Sequence, residues 1–486
     1  EMGAGNDVIR GFQPINTDSV SLGSGDDVIE LKITGNGSTD RPDYSSLNIG
    51  TLDGGSGSDW LVFSQASGGD LTLTTGGATN FENLAGSSGN DTLRGDNNDN
   101  IIGGQFDFAM MNPSYTGPMA GGTDTVYGNG GNDTIVASGT LYGGSGDDSL
   151  TGGSGNDTFD GGAGADTITT NGGDDTIVLN AGAGGTAIAD ADIITDFQDG
   201  SDVVGMNGLS FSDFSIAQGT GANSSHTLLA NANNGNYLGI LQNISSSDIT
   251  AADFMSTSTS TLTFNGTSGN NSFVGGAGDD TFTTGTGTDE AYGHVGDDSF
   301  TVNGAGNKII SGGSGTDSLN INYSGISDIT SFASISKDAS TGYMTFVDGS
   351  SNTISAAGIE SLSIAGNSYG DISSTNPSGF SNVSQLLFNN SVTVGGAKVG
   401  VFYNVGTTGG SNSQNLYYAQ NLWPTSNQDI RLIGSDGNEN LNLTFSHNNQ
   451  DRSNLSMMGS GSSGDYILEM GAGNDVIRGF QPINTD

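Results

Sequence analysis

The chain contains no cysteine, so neither disulfides nor thiolate metal sites hold it together. Bases are scarce: 10 Lys and Arg stand against 53 Asp and Glu, for a formal charge of −43 over 486 residues. Only 13% of residues are charged, so the imbalance comes from missing bases rather than from acidic runs. A surface this negative argues against nucleic acid and anionic lipid as partners, and for a cation. No run approaches the roughly 18 apolar residues of a membrane-spanning helix, so membrane insertion is not expected. No amphipathic helical pattern is present, and the opening EMGAGNDVIR reads as a repeat rather than as a signal peptide. Catalytic signatures are equally thin. The histidines are His226, His294 and His447, none of them in H-E-x-x-H or another metal-ligand spacing. A cysteine nucleophile is impossible, and a serine triad would have to draw on those same histidines. No enzyme activity is expected.

What the chain does have is glycine, 83 residues of it, and the glycine is periodic. Residues 143–178 read GGSGDDSLT, GGSGNDTFD, GGAGADTIT, TNGGDDTIV, four nonapeptides without a gap. Asp148, Asp157, Asp166 and Asp175 recur every nine residues, as do the apolar Leu150, Phe159, Ile168 and Ile177. Six residues, G-G-x-G-x-D, suit a turn whose backbone is crowded or left-handed and whose carbonyls point inward. The remaining three suit a short strand with its middle side chain in the core. Two nonapeptides then close a coil of about 18 residues, and coils stack as parallel strands about 4.8 Å apart. That stacking sets Asp148 opposite Asp166 and Asp157 opposite Asp175. Facing carboxylates repel, and inward carbonyls lack partners, unless a hard cation accepting six to eight oxygens lies between them.

The run resembles the RTX (repeats-in-toxin, haemolysin-type) calcium-binding β-roll. The resemblance implies a ligand role for Asp148, Asp157, Asp166 and Asp175, with carbonyls supplied around Gly144, Gly146, Gly153, Gly155, Gly162 and Gly164. Matching turn positions elsewhere are Asp7, Asp27, Asp59, Asp91, Asp124, Asp133, Asp280, Asp289, Asp298, Asp317, Asp465 and Asp475. Asn100 stands where Asp would, which weakens a site there. Multiple Ca²⁺ ions are the expected cofactor. The resemblance also implies type I export, with folding outside the cell, where millimolar calcium meets dissociation constants of about 10⁻⁴–10⁻³ M. An ion at about ten times its dissociation constant adds about 1.4 kcal/mol per site.

The expected fold class is all-β: parallel β-roll (β-helix) solenoid blocks alternating with antiparallel or sandwich-like β caps. Residues 1–104 read as a β-roll block with a strand-rich spacer, and 105–118 (FDFAMMNPSYTG at its centre) as a protruding loop. Residues 119–189 are the central roll. Residues 190–260 open with DADIITDFQDGSD, which resembles the segment that caps such rolls, with Asp192, Asp196 and Asp202 read as capping residues, calcium binding by them being the alternative. A second roll is expected over 261–322, where Asn271, Asp280, Asp289, Asp298 and Asn307 keep the spacing of nine. Residues 323–445 are poor in Asp and read as a more conventional β domain, followed by a roll over 446–486. FENLAGS (81–87) and IESLSIAG (359–366) occupy matching places after Asp59 and Asp317, which points to duplicated units.

Residues 1–18 and 469–486 are identical, letter for letter. The expectation is a tandem array of near-identical modules, with other copies of the module as partners, in tandem and laterally. Three functions fit: a structural module of an extracellular filament, sheath or surface layer; the stalk of a giant adhesin; or the calcium-binding domain of a secreted enzyme or toxin.

Overall fold

The structure is a computed structural model that describes residues 2–12, 19–31, 51–63, 68–103, 122–338 and 341–369. Beyond them it describes seven strands, from Leu386–Val394 to Val476–Arg478. The 105–118 loop, Asp465 and Asp475 lie outside the described residues. Among those residues there are strands and short 3₁₀ turns but no α-helix. Two units divide the chain, Glu1–Thr257 and Ser258–Asp486.

In the first unit, two long walls face each other. The first stacks Val8–Phe12, Val28–Leu31, Trp60–Phe63, Asn83–Ala85, Ile101–Gly103, Thr134–Val136, Ser149–Thr151, Thr167–Thr169 and Asp192–Ile194 in parallel. The second runs from Asp70–Thr72 through Gly139–Ser145 and Thr158–Ala163 to Val203–Asn207 and Phe254–Ser256, also in parallel. The middle residue of each strand points between the walls. Ile135, Leu150, Ile168 and Ile194 form one fully buried column, and Leu141, Phe159, Ile177 and Val204 the facing one. Each such side chain contributes about 2 kcal/mol by leaving water. Leu150 pairs with Ile168 and Phe159 with Ile177, a coil of 18 residues. One coil is shorter: Asp124 pairs with Gly139 and Ile135 with Leu150, 15 residues apart.

Antiparallel pairing enters the first wall within residues 208–241. Tyr237–Leu241 continues the first wall, then Thr227–Asn231 and Phe214–Gln218 add to it antiparallel. Phe254 closes the second wall's core column, with the Phe211 and Phe214 rings each 5.0 Å away.

The second unit repeats the plan. Thr263–Asn265, Thr281–Thr284, Ser299–Val302, Ser318–Ile321 and Ser361–Ile364 form one parallel wall. Asn271–Val274, Asp289–Val295, Lys308–Ser314 and Thr353–Ala357 form the other. Phe264, Phe282 and Phe300 stack face to face at 4.9 and 4.6 Å in its core. The roll therefore runs past residue 322, as far as residue 364, because the antiparallel hairpin Phe332–Lys337 and Met344–Asp348 is an excursion between two coils rather than a new domain. Ala397–Phe402 and Asp429–Ile433 likewise pair in parallel inside the region read as a conventional β domain, and Tyr466–Glu469 pairs in parallel with the latter.

Phe159→Ala should cost about 3–5 kcal/mol by emptying a closed core position, whereas Thr158→Ala, on the outer face, should cost under about 1 kcal/mol. Denaturant unfolding in saturating calcium checks both.

Candidate metal centre

Each turn aspartate ends its turn at the start of a strand, and its carboxylate reaches the coil before it. Asp27, Asp59, Asp133, Asp148, Asp166 and Asp175 are all buried. A buried carboxylate is costly unless its oxygens find donors. One oxygen does. On the first wall the Asp7 N–H donates to Asp27 Oδ1 (2.6 Å), Asp27 to Asp59 (2.8 Å), Asp133 to Asp148 (2.7 Å), Asp148 to Asp166 (2.8 Å) and Asp166 to Asp192 (3.0 Å). On the second, Asp91 donates to Asp124 (2.8 Å), Asp157 to Asp175 (2.7 Å) and Asp175 to Asp202 (3.1 Å). Asp280 to Asp298 (2.7 Å) and Asp298 to Asp317 (2.8 Å) repeat this in the second unit.

The other oxygen does not. Oδ2 of Asp7, Asp27, Asp59, Asp124, Asp133, Asp148, Asp166, Asp175, Asp298 and Asp317 is buried and accepts no hydrogen bond. At Asp59, Asp133, Asp148, Asp298 and Asp317 it lies over the glycine that opens the turn, where a backbone carbonyl of the next coil also arrives. A Cβ on Gly143 would strike both Asp148 Oδ2 and the Gly161 carbonyl oxygen; Gly128 has Asp133 Oδ2 and Gly143 O in the same relation, and Gly293 has Asp298 Oδ2 and Gly312 O. Among the described residues no three acidic or histidine side chains converge. The oxygens instead come as one carboxylate per turn plus backbone carbonyls, a donor set that suits Ca²⁺ and leaves Zn²⁺ without its nitrogen or sulfur ligands. The residues fit the ion.

The turns are of two kinds, where a single kind is expected from the repeat. Gly144, Gly146, Gly162 and Gly164 have φ between 101° and 142°, and a Cβ on Gly146 or Gly164 would run into the Gly131 or Gly146 carbonyl one coil before. Gly153 and Gly155 are not in this conformation, and the Gly153 N–H donates to Asp157 Oδ2 at 2.6 Å. Asp280 is closed in the same way by the Gly276 N–H (2.8 Å), and Asp91 by Ser87 (2.6 Å). Asp157 sits over Gly139, which reaches its strand without a glycine-rich turn, and Asp280 sits over Leu262, where its wall begins. At both, the carboxylate folds back on its own turn. Asp157, Asp280 and Asp91 are thereby satisfied without an ion, unlike their neighbours.

Several participants escape the spacing of nine. Glu82 takes the Asp59 amide at 2.9 Å and Glu360 the Asp317 amide at 2.7 Å, so the FENL and IESL segments supply the missing carboxylate by a longer side chain. Asp192 and Asp202 are the last acceptors of the two ladders in the first unit. A second, exposed ladder runs the opposite way from the residue before each turn aspartate: Asp147 donates to Asn132 Oδ1 (3.0 Å), Ala165 to Asp147 (2.9 Å), Asp174 to Asn156 (3.0 Å) and Asp297 to Asp279 (2.9 Å). The recurring Asn or Asp before the last Asp is its signal in the sequence. His294 holds the left-handed second turn position (φ 74°) that Gly313 holds one coil later. Residues 366–370 (GNSYG) match G-x-S-x-G, but Ser368 is exposed on a strand antiparallel to Ser361–Ile364, not on a strand-to-helix elbow.

Burial, opposed in part by the amide bonds, pushes Asp124, Asp133, Asp175 and Asp298 up to about 7, and Asp59 and Asp317 to about 6. A carboxyl with a folded pKa above its unfolded value of 3.8 favours the fold below about pH 4, and that contribution is lost as pH rises through about 7. The calcium-free chain should therefore show more β-structure by circular dichroism at about pH 4.5 than at about pH 7.5, with calcium removing the difference. Asp166→Asn keeps the Asp148 amide bond and deletes the charge. Equilibrium dialysis should find about one ion fewer per chain; equal stoichiometry would count against Asp166 as a ligand.

The RTX calcium-binding nonapeptide repeat family matches residues 76–107, 120–140, 138–168, 151–184 and 265–300. No curated protein matches the chain. The ladder geometry continues outside those segments, at Asp27 and Asp59 on one side and at Asp317 and Glu360 on the other. Within those segments the chain carries RTX calcium-binding nonapeptide repeats, folded as a parallel β-roll.

Proposed function

We propose that the chain is a structural, non-catalytic module of a secreted or cell-surface protein, which folds on calcium outside the cell and assembles into an extracellular filament, sheath or surface layer. The observation that carries this reading is the unpaired Oδ2 recurring along the stacked coils. A chain carrying −43 and, among the described residues, at least ten buried carboxylate oxygens without donors has little reason to fold at submicromolar calcium, and every reason to do so at millimolar calcium. Such a chain would pass through an export channel unfolded and become rigid on the far side. Identity between residues 1–18 and 469–486 supports tandem copies, since the last repeat leads back into the first. Solenoid coils stack end to end without a change of surface, which suits an extended element.

The stalk of an adhesin would share all of this except lateral association. The experiment that separates them is a calcium titration of the chain followed by circular dichroism and electron microscopy. Cooperative β-structure near millimolar calcium, with long or sheet-like particles that loosen in excess chelator, is the expected outcome. Folding into lone monomers would favour the stalk. Full β-structure in chelator at neutral pH would sink both.

A further inference from the structure

The two walls of the second unit differ in the charge of their turns. Along one wall the turn positions are Asp280, Asp298, Asp317 and Glu360, all acidic and linked by amide bonds. Along the other they are Asn271, Asp289 and Lys308, which pair in register and sum to zero charge. Counting by nine places Asn307 at the last of these positions. The coil from Asp289 is one residue longer than the one before it, so Lys308 takes the position instead.

The Lys308 side chain is wholly buried. Its ammonium nitrogen lies 3.0 Å from Asp289 Oδ2, with both side chains inaccessible to solvent, and donates a hydrogen bond to the Gly287 carbonyl oxygen at 2.7 Å. Asp289 Oδ1 meanwhile accepts the Asn271 amide at 3.0 Å, as turn carboxylates do throughout both rolls. The ammonium thus contacts a turn carbonyl and a turn carboxylate's second oxygen, the atom that accepts no hydrogen bond at ten other turn aspartates. A buried lysine without a counter-ion would be costly, and here both charges are matched at contact distance. A divalent ion cannot share those oxygens with a fixed positive charge. Asp289 therefore does not fit as a calcium ligand, against the expectation from its spacing.

We propose that Lys308 is a tethered cation standing in calcium's place at the Asp289 turn, so that this wall of the second roll forms without the ion while the acidic wall across from it waits for calcium. A tethered ammonium is present at any calcium concentration, so the neutral wall would serve as the seed on which calcium completes the coil. The inference rests on the calcium-binding reading of the other turns.

Two variants of the whole chain test it. Lys308→Asp places an acid opposite Asp289, as Asp166 stands opposite Asp148, and equilibrium dialysis should find about one more Ca²⁺ per chain than in the wild type. Lys308→Met leaves Asp289 unpaired. In chelator, amide exchange across Asp289–Val295 should be at least about tenfold slower in the wild type than in Lys308→Met, and calcium should close the gap. Equal exchange in chelator for wild type and Lys308→Met would overturn the proposal, as would unchanged stoichiometry in a folded Lys308→Asp. If the wild type binds no calcium at all, the calcium reading itself fails; if it binds calcium and the variants match it, only the tethered cation fails.

Discussion

The hydrogen bond from a turn aspartate's backbone N–H to the carboxylate one coil on sets the position of nearly every other group in the two rolls. It draws the carboxylate inward and spends one oxygen on the neighbouring coil. At ten of these turns the other oxygen is left without a hydrogen-bond donor. Stacking and charge are thus the same problem: each added coil gains apolar contact at residues such as Leu150 and Ile168, and adds a carboxylate whose burial opposes ionisation. A proton or a calcium ion can resolve that opposition, and only calcium does so at neutral pH without weakening the carboxylate as an acceptor.

The fold was legible where the repeat is unbroken. Leu150, Phe159, Ile168 and Ile177 are spaced by nine and each is fully buried, and the facing pairs Asp148–Asp166 and Asp157–Asp175 are joined by amide bonds. Legibility failed where the chain changes length between turns. A single added residue puts Lys308 rather than Asn307 beside Asp289, and periodic counting has no means of placing an insertion within a coil. Glu82 and Glu360 sit in segments with no glycine turn, so their resemblance to each other was visible while their role was not. Asp157 lies over a residue 18 away, Gly139, which no local pattern reports.

The exposed ladder completes the geometry. At junctions such as Asp148–Asp166 the inner bond runs from one coil to the next and the outer bond returns, so both backbone positions of the turn are engaged across the same gap. Strands of three residues could not hold their alignment alone, since glycine-rich segments specify register weakly. Where two opposed bonds cross the same gap they fix it without requiring a large core, in a chain that is one-sixth glycine.

A perfectly uniform stack has a weakness: every coil fits every other, so a chain could close one coil out of step and lose almost nothing. The short coil between Asp133 and Asp148 removes that freedom. Its tight turn at Gly139 offers no carboxylate and no glycine-rich loop, so only one neighbour above and one below can match it. An offset stack would leave Asp157 or Asp175 facing the wrong partner and break bonds on both walls. Irregularity of this kind works as an address label, giving a repetitive polymer a single correct alignment among many near-copies.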